Sequence, residues 1–261
     1  MGWSYRLWRR RFQERLGKDA DDSELALRVA RSYAARLSYF DRDVGAGLII
    51  HGRRMVEDGR YEAALAALDE AVEIGTKHVH RSPIRYAPII ATGLLRKSWV
   101  LDAVGRRDEA LDAAERAARI FRALVKMRPG HFELPLYSAL SCVTTWTQPS
   151  EESLATAEEA LAVCRRAVRQ PGWREVHRAA ALHNVATCLR AAGRPGDALP
   201  TAEEAVRVYR VLDHADGAEY WPRFEGSLRS LEAILTDLDR YSDAAAVAQE
   251  AAEIRARRSS P

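Results

Sequence analysis

Hydrophobic and polar positions alternate in a helical rhythm along most of this chain, and the rhythm repeats. Five stretches align without gaps: GRYEAALAALDEAVEI from Gly59, GRRDEALDAAERAARI from Gly105, QPSEESLATAEEALAV from Gln148, GRPGDALPTAEEAVRV from Gly193 and DRYSDAAAVAQEAAEI from Asp239. In each, small or apolar residues recur three and four apart among charged ones, which predicts an amphipathic helix with one buried face. Their starting points lie 46, 43, 45 and 46 residues apart, a period that signals an array of structural repeats.

Inside the block the sixth position is always small: Ala64, Ala110, Ser153, Ala198 and Ala244. The thirteenth is alanine every time: Ala71, Ala117, Ala160, Ala205 and Ala251. Side chains seven apart share a helix face, and small ones there let neighbouring helices approach closely. Upstream of each block runs a second amphipathic stretch: GLIIHGRRMVED, GLLRKSWVLDAV, LYSALSCVTTWT, ALHNVATCLRAA and SLRSLEAILTDL. Gly59, Gly105 and Gly193 then stand where the first helix must stop and reverse, a position that favours the left-handed conformation glycine tolerates. Gln148 and Asp239 hold that place in the third and fifth units. Pro83, Pro129, Pro171 and Pro222 fall in the connections between units, where helices start and break.

A helix, a glycine turn and a second helix with paired small residues resemble the tetratricopeptide repeat. The longer spacing and the phrase ALHNVATCLRAAGRPGDALPTAEEAVRVYR are similar to the extended arrays of high-GC actinobacteria. The resemblance implies an all-α, right-handed α-solenoid of about five helix-turn-helix repeats, over residues 44–84, 85–130, 131–172, 173–218 and 219–258. It further implies that the chain binds proteins or peptides on the concave face lined by the first (A) helix of each repeat. Carried over by alignment, that face holds Ile49, Arg53 and Val56, then Leu95, Trp99 and Asp102, then Ser138, Cys142 and Thr145, then His183, Thr187 and Arg190, and lastly Arg229, Ala233 and Thr236. Arg53, Trp99, His183, Thr187, Arg190 and Arg229 are the expected partner-binding residues. They suit a segment with an apolar anchor and carboxylates, because guanidinium groups bind carboxylates bidentately. The resemblance also gives Asn184 a backbone hydrogen bond between adjacent repeats. The third repeat departs from the pattern, with Thr147, Gln148, Pro149 and Ser150 at the turn and Pro135 early in its first helix, which points to a local kink.

Solenoid ends need atypical units to cover an apolar face. Residues 1–43 are expected to do this at the N-terminus, with Asp22 and Ser23 capping a helix that runs to about Phe40 and buries Leu27, Ala30, Tyr33, Ala34 and Leu37. Before it, Trp3, Leu7, Trp8, Phe12 and Leu16 form an apolar face opposite Arg6, Arg9, Arg10, Arg11 and Arg15. Two readings stand for this segment: a cap packed on the first repeat, or a contact with a partner or an anionic membrane surface through Trp3, Trp8, Arg9, Arg10, Arg11 and Phe12. No capping helix is expected after the last one, and two readings stand for its outer face: pairing with another copy or another protein, or solvation by Gln249, Glu250 and Glu253.

Charge adds one distinction. Residues 1–18 carry +5 of a formal net charge of +3, so the remainder is slightly acidic, and a nucleic-acid surface, which needs a basic stripe along the fold, is not expected. No run approaches a membrane span or a signal peptide, and three dispersed cysteines, Cys142, Cys164 and Cys188, give no disulfide framework, so a cytoplasmic protein with core thiols is expected.

No catalytic constellation, cofactor site or metal site is expected. The stretch Gly93 to Ser98 lacks the second glycine of a phosphate loop and falls within a predicted helix. His78 and His80 have ligand-like spacing but no companion carboxylate or cysteine cluster, and read as a solvated loop pair. Glu158 and Glu159, like Glu203 and Glu204, are adjacent on a helix and read as solvated faces. The leading expectation is an interaction module. The alternatives are a regulatory receptor for a small molecule or signalling peptide, and a non-catalytic accessory protein of a biosynthetic pathway.

Overall fold

The computed structural model describes residues 10, 12, 14, 20–34, 41–170, 172–214 and 220–259. Among them the regular structure is entirely helical: α1 Ala20–Ala34, α2 Asp41–Glu57, α3 Tyr61–His78, α4 Pro83–Ala103, α5 Arg107–Met127, α6 Glu133–Trp146, α7 Glu151–Arg166, α8 Glu175–Ala191, α9 Pro195–His214, α10 Trp221–Asp237 and α11 Tyr241–Ser259, with one 3-10 turn at Ala167–Arg169. The chain divides into two compact units, Met1–Pro135 and Leu136–Pro261. In the first, α2 and α3 form one hairpin, α4 and α5 another, α3 packs on α4, and α1 lies against α2. In the second, α8 and α9, then α10 and α11, pair as hairpins, with α7 packed on α8 and α9 on α10.

The two small positions of each block explain this packing. Ala64, Ala71, Ala110, Ala117, Ala160, Ala198, Ala205 and Ala251 are all almost fully buried, so backbones meet where a larger side chain would hold them apart. Two glycines extend the effect between α3 and α4. A Cβ on Gly75 would stand 2.5 Å from Ile90 Cγ1, and one on Gly93 would stand 2.9 Å from Val72 Cγ2. Phe121, Leu68, Leu101 and Leu124 in the first unit, and Tyr209, Phe224, Leu140 and Leu182 in the second, are the large side chains of the two cores.

The hairpin turns are built alike. Gly59 adopts φ +72°. Its N–H donates to the Val56 carbonyl at 3.0 Å, and the Arg60 N–H donates to Met55 at 2.7 Å, which together satisfy two of the carbonyls a helix end leaves open. The same pair of bonds recurs at Gly105 and Arg106, at Gly193 and Arg194, and at Asp239 and Arg240. Asp239 thus takes the glycine conformation, at φ +60°, and its carboxylate accepts a 2.7 Å bond from the Tyr241 hydroxyl.

The third turn is made from the opposite side. There, Ser150 caps the start of α7: the Ser153 N–H donates to Ser150 Oγ at 3.2 Å, and the Ser150 N–H donates to Ser153 Oγ at 2.9 Å. A helix start replaces the glycine stop. Pro135 falls in the first turn of α6, where a missing N–H breaks no helix bond, so it calls for no kink.

The expected cap changes at the N-terminal end. The first helix begins at Ala20, with Asp21 and Asp22 in its opening turn, so Ser23 is not its cap. Ser23 is buried instead and meets His51 Nδ1 of α2 at 2.6 Å. Leu27 and Ala30 are fully buried as the apolar stripe requires. Leu37, and the end near Phe40, lie outside the described residues. Burial pulls the His51 imidazole below its ordinary pKa, with Glu24 opposing the shift.

Candidate functional site

In the first unit, α2 and α4 place the expected residues around one small cavity. It measures about 100 Å³ and is lined by Gly52, Arg53, Val56, Leu68, Arg96, Trp99 and Val100. Its floor is Leu68 of α3, which α2 can approach because residue 52 is glycine: a Cβ there would stand 3.1 Å from Leu68 Cγ. Trp99 is 37 % exposed at the edge, and the Arg96 guanidinium lies 4.5 Å from its ring centroid, a cation–π contact.

Arg96 was not expected on this face. The aligned position was Leu95, but Leu95 points into the core. Arg96 stands one turn before Trp99 and Val100, so it shares their face of the helix. Desolvation, and then the charge of Arg53, lowers its pKa from the ordinary guanidinium value, yet it remains a cation at neutral pH. Arg53 is half-exposed, with its Nε 3.6 Å from Glu57 Oε1. Glu57 in turn accepts a shorter bond, 2.7 Å, from Arg54. Asp102, the last aligned position of α4, lies 3.6 Å from Arg107.

In the second unit the expected cations are engaged within the protein. Arg190 of α8 donates to Asp237 of α10 at 2.6 Å. Arg229 donates to Glu225 one turn earlier on α10, and Arg255 of α11 reaches the same carboxylate at 2.7 Å. Glu225 is 2 % exposed, and its two guanidinium partners hold its carboxyl at about 2, well below the usual carboxylate value. Thr187 donates to the His183 carbonyl at 2.9 Å and lies 3.2 Å from Ser230 Oγ of α10. His183 is half-buried with its Nδ1 shielded and unpartnered, and burial pushes its imidazole below the ordinary pKa. Ser138 and Cys142 on α6 and Ala233 on α10 are half-buried, whereas Thr145 and Thr236 are exposed.

Asn184 does bridge helices, but not through backbone: its Nδ2 donates to Thr144 Oγ1 of α6 at 2.9 Å. Thr144 can accept because its own proton goes to a carbonyl of α6. A second cleft, of about 550 Å³ and open to solvent, lies between α9 and α11 over Val206, Leu231, Leu235 and Val247, rimmed by Glu203, Arg207, Arg210, Arg240 and Asp243. The sequence pattern gave no sign of it.

Of the N-terminal contact residues, Trp3, Trp8, Arg9 and Arg11 lie outside the described residues. Arg10 is exposed and paired with Glu14 at 3.0 Å. Phe12 is 6 % exposed and packs with Ala26, Leu27, Ala30, Val44 and Leu48 in the first core. No described helix is long and apolar enough to cross a membrane. Exposed positions on α11 include Ala245, Gln249, Ala252 and Glu253.

His78 corrects the reading of a solvated loop pair. It ends α3, is buried, and its Nε2 lies 2.9 Å from Asp41 of α2 with Tyr86 of α4 against its ring. Cys164 and Cys188 are core residues, and Cys142 is half-buried. Among the described residues no group of three or more His, Cys, Asp or Glu is arranged to hold a metal ion. Gly93 to Ser98 lie inside α4.

Helical hairpins closed by left-handed turns and packed on small residues define an all-α repeat fold of the tetratricopeptide type. No protein-family model matches the chain, and no curated protein does. Solved structures do. BtubC (BKLC) from P. vanneervenii is similar at TM-score 0.60 with 16% identity, over 92% of this chain and 91% of that one. A putative kinesin light chain from Podosopora anserina, with nearly identical TPR-like repeats, is similar at TM-score 0.51 with 18% identity, over 83% of this chain and 97% of that one. Aspartyl phosphate phosphatase F from Bacillus subtilis is similar at TM-score 0.51 with 14% identity; the match covers 90% of this chain and 56% of that one. At such identities the likeness is one of fold.

Proposed function

We propose that the chain is a non-catalytic interaction module that binds a segment of a partner protein or peptide along its A helices. The observation that carries this reading is the cavity between α2 and α4, where an aromatic edge, apolar walls and two guanidinium groups meet on one surface. Apolar anchors in pockets with charged rims are how interfaces concentrate binding energy. Size favours a macromolecular segment over a free small molecule. The cavity is about 100 Å³, against roughly 300 to 1,000 Å³ for typical small-molecule sites, and the larger cleft is open.

In the second unit Ser138, Thr145, His183 and Thr187 offer polar groups, Arg190 is paired with Asp237, and Arg229 shares the Glu225 carboxylate with Arg255. The apolar anchor of the partner is assigned to the first unit, at the Trp99 cavity. Quantitative affinity purification with the intact chain, comparing wild type with Trp99→Ala and Arg53→Glu, tests this. A partner retained by wild type and lost at least tenfold by both variants supports the reading. Equal recovery by all three removes the A-helix face as the binding surface.

A further inference from the structure

The cavity in the first unit has a chemistry more specific than a general interaction surface. Its walls are the Cα of Gly52 and the side chains of Val56, Leu68, Trp99 and Val100, all apolar where they face inward. An engineered apolar cavity of about 150 Å³ admits benzene, so one of about 100 Å³ takes roughly three or four carbons and excludes an indole. The floor cannot deepen readily, because Leu68 is buried against the helix it belongs to and against α2.

Charge marks the rim. Arg96 has no hydrogen bond or ion pair to a carboxylate among the described residues; its contact is with the face of Trp99. Arg53 has only the long 3.6 Å approach of Glu57, whose nearer partner is Arg54. Two other cations close by are satisfied in the ordinary way, Lys97 by Asp69 at 2.5 Å and Arg106 by Glu109 at 2.6 Å. A half-buried guanidinium with no carboxylate partner among the described residues, set beside a second guanidinium at the mouth of an apolar cavity, has an anion as its natural complement.

We propose that this cavity binds an internal peptide segment carrying one aliphatic side chain, of valine to leucine size, flanked by an aspartate or glutamate whose carboxylate bridges Arg53 and Arg96. The inference rests on the interaction-module reading and adds the chemistry of the anchor. A chain occupant fits better than a free acid, because contact surface continues past the cavity. The Trp99 edge, Arg53, Ile49 and Thr92 remain partly exposed around it, and a free acid would leave them uncovered. Trp99 positions Arg96 by stacking, so the aromatic acts on the carboxylate through the guanidinium as well as on the aliphatic group directly.

The test uses the full chain, labelled with nitrogen-15, and follows the indole N–H resonance of Trp99, assigned by its loss in Trp99→Phe. Four peptides in one Gly/Ser host, acetylated and amidated so that neither end is charged, carry Glu-Leu-Glu, Gln-Leu-Gln, Glu-Ala-Glu or Glu-Trp-Glu. The Glu-Leu-Glu peptide is expected to shift the resonance saturably at a concentration at least tenfold below that of the other three. Arg96→Gln brings Glu-Leu-Glu and Gln-Leu-Gln within threefold of each other while the preference for leucine over alanine survives, and Arg96→Lys restores part of the carboxylate preference. Melting curves matching wild type confirm that both variants are folded. Equal binding of Glu-Leu-Glu and Gln-Leu-Gln by wild type overturns the proposal, as does equal binding of Glu-Trp-Glu, or a tenfold preference unchanged in Arg96→Gln. Isovalerate alone, shifting the resonance at the same concentrations as Glu-Leu-Glu, overturns the peptide as occupant. Failure here is separable from failure of the broader reading. A partner captured on the A-helix face but not displaced by Glu-Leu-Glu leaves the module intact without this anchor.

Discussion

Gly75 offers the sharpest check on why these helices pack as they do. Alanine in place of glycine inside a helix ordinarily stabilises by about 1 kcal/mol. At Gly75 the new methyl would stand 2.5 Å from Ile90 Cγ1, 3.3 Å from the Ile90 backbone nitrogen and 3.4 Å from the Tyr86 carbonyl oxygen. The first approach is about 1 Å inside an ordinary carbon–carbon contact of roughly 3.5 Å. Ile90 cannot retreat freely, because it is itself buried in the core. Overpacking of this kind costs about 1–3 kcal/mol, and the upper half of that range applies, so Gly75→Ala should destabilise by about 1–2 kcal/mol net. Gly226 of α10 is the internal control: nothing lies within 4 Å of its added Cβ, so Gly226→Ala should stabilise. At roughly 2–4 °C per kcal/mol for a chain of this size, Gly75→Ala lowers the melting temperature by about 2–8 °C while Gly226→Ala raises it by about 2–4 °C. Circular dichroism gives the transition, and amide exchange across α3 and α4 locates the loss, since repeats report local stability. In an Ile90→Ala background the Gly75→Ala penalty should shrink, because the nearest colliding atom is gone and only the two backbone contacts remain. If Gly75→Ala raised the melting temperature, or its penalty were undiminished by Ile90→Ala, close approach at Gly75 would not be what holds α3 to α4.

Two further outcomes follow from the turns and from the buried carboxylate. Gly193→Ala should cost about 1 kcal/mol because its φ of +72° suits glycine, while Asp239→Gly at the equivalent turn should gain roughly half that; urea denaturation reads both, and changes of the same sign would refute the equivalence. Glu225 titrates at about 2 in the folded chain against an ordinary 4.5, so its ion pairs stabilise at pH above 4.5 and that contribution disappears as pH falls toward 2. Wild type should therefore lose stability across this window more steeply than Glu225→Gln, and parallel pH curves from thermal melts would count against the bridge to Arg229 and Arg255.

Much of the architecture could be read from the chain because repetition multiplies weak signals. A single alanine says little, but alanine at Ala71, Ala117, Ala160, Ala205 and Ala251 fixes which face of each second helix is covered. Asp239 was harder, since an aspartate is a weaker sign of a left-handed turn than glycine, yet it adopts one. The site was legible only in part. A rotation of α4 smaller than one residue decides whether Leu95 or Arg96 faces the cavity, and pattern alone does not resolve that. The quenching of Arg190 by Asp237, 47 positions later, depends on how two helices lie against each other. His78 was misread because its partners come from other helices, Asp41 of α2 and Tyr86 of α4, which the local sequence does not reveal.

The paired turn bonds at Gly59, Gly105, Gly193 and Asp239 also govern where this chain can change length. Each hairpin has the same number of residues between its first helix and the small residues of its second, and the variation in spacing, from 43 to 46, falls outside that turn. One residue inserted at the Gly59 turn would rotate α3 by about 100° and carry Ala64 and Ala71 away from the backbone they touch. The same residue inserted between α3 and α4 would leave both hairpins as they are. Length variation among descendants of this sequence, and any engineered loop, would therefore gather in the connections between hairpins and spare the turns within them.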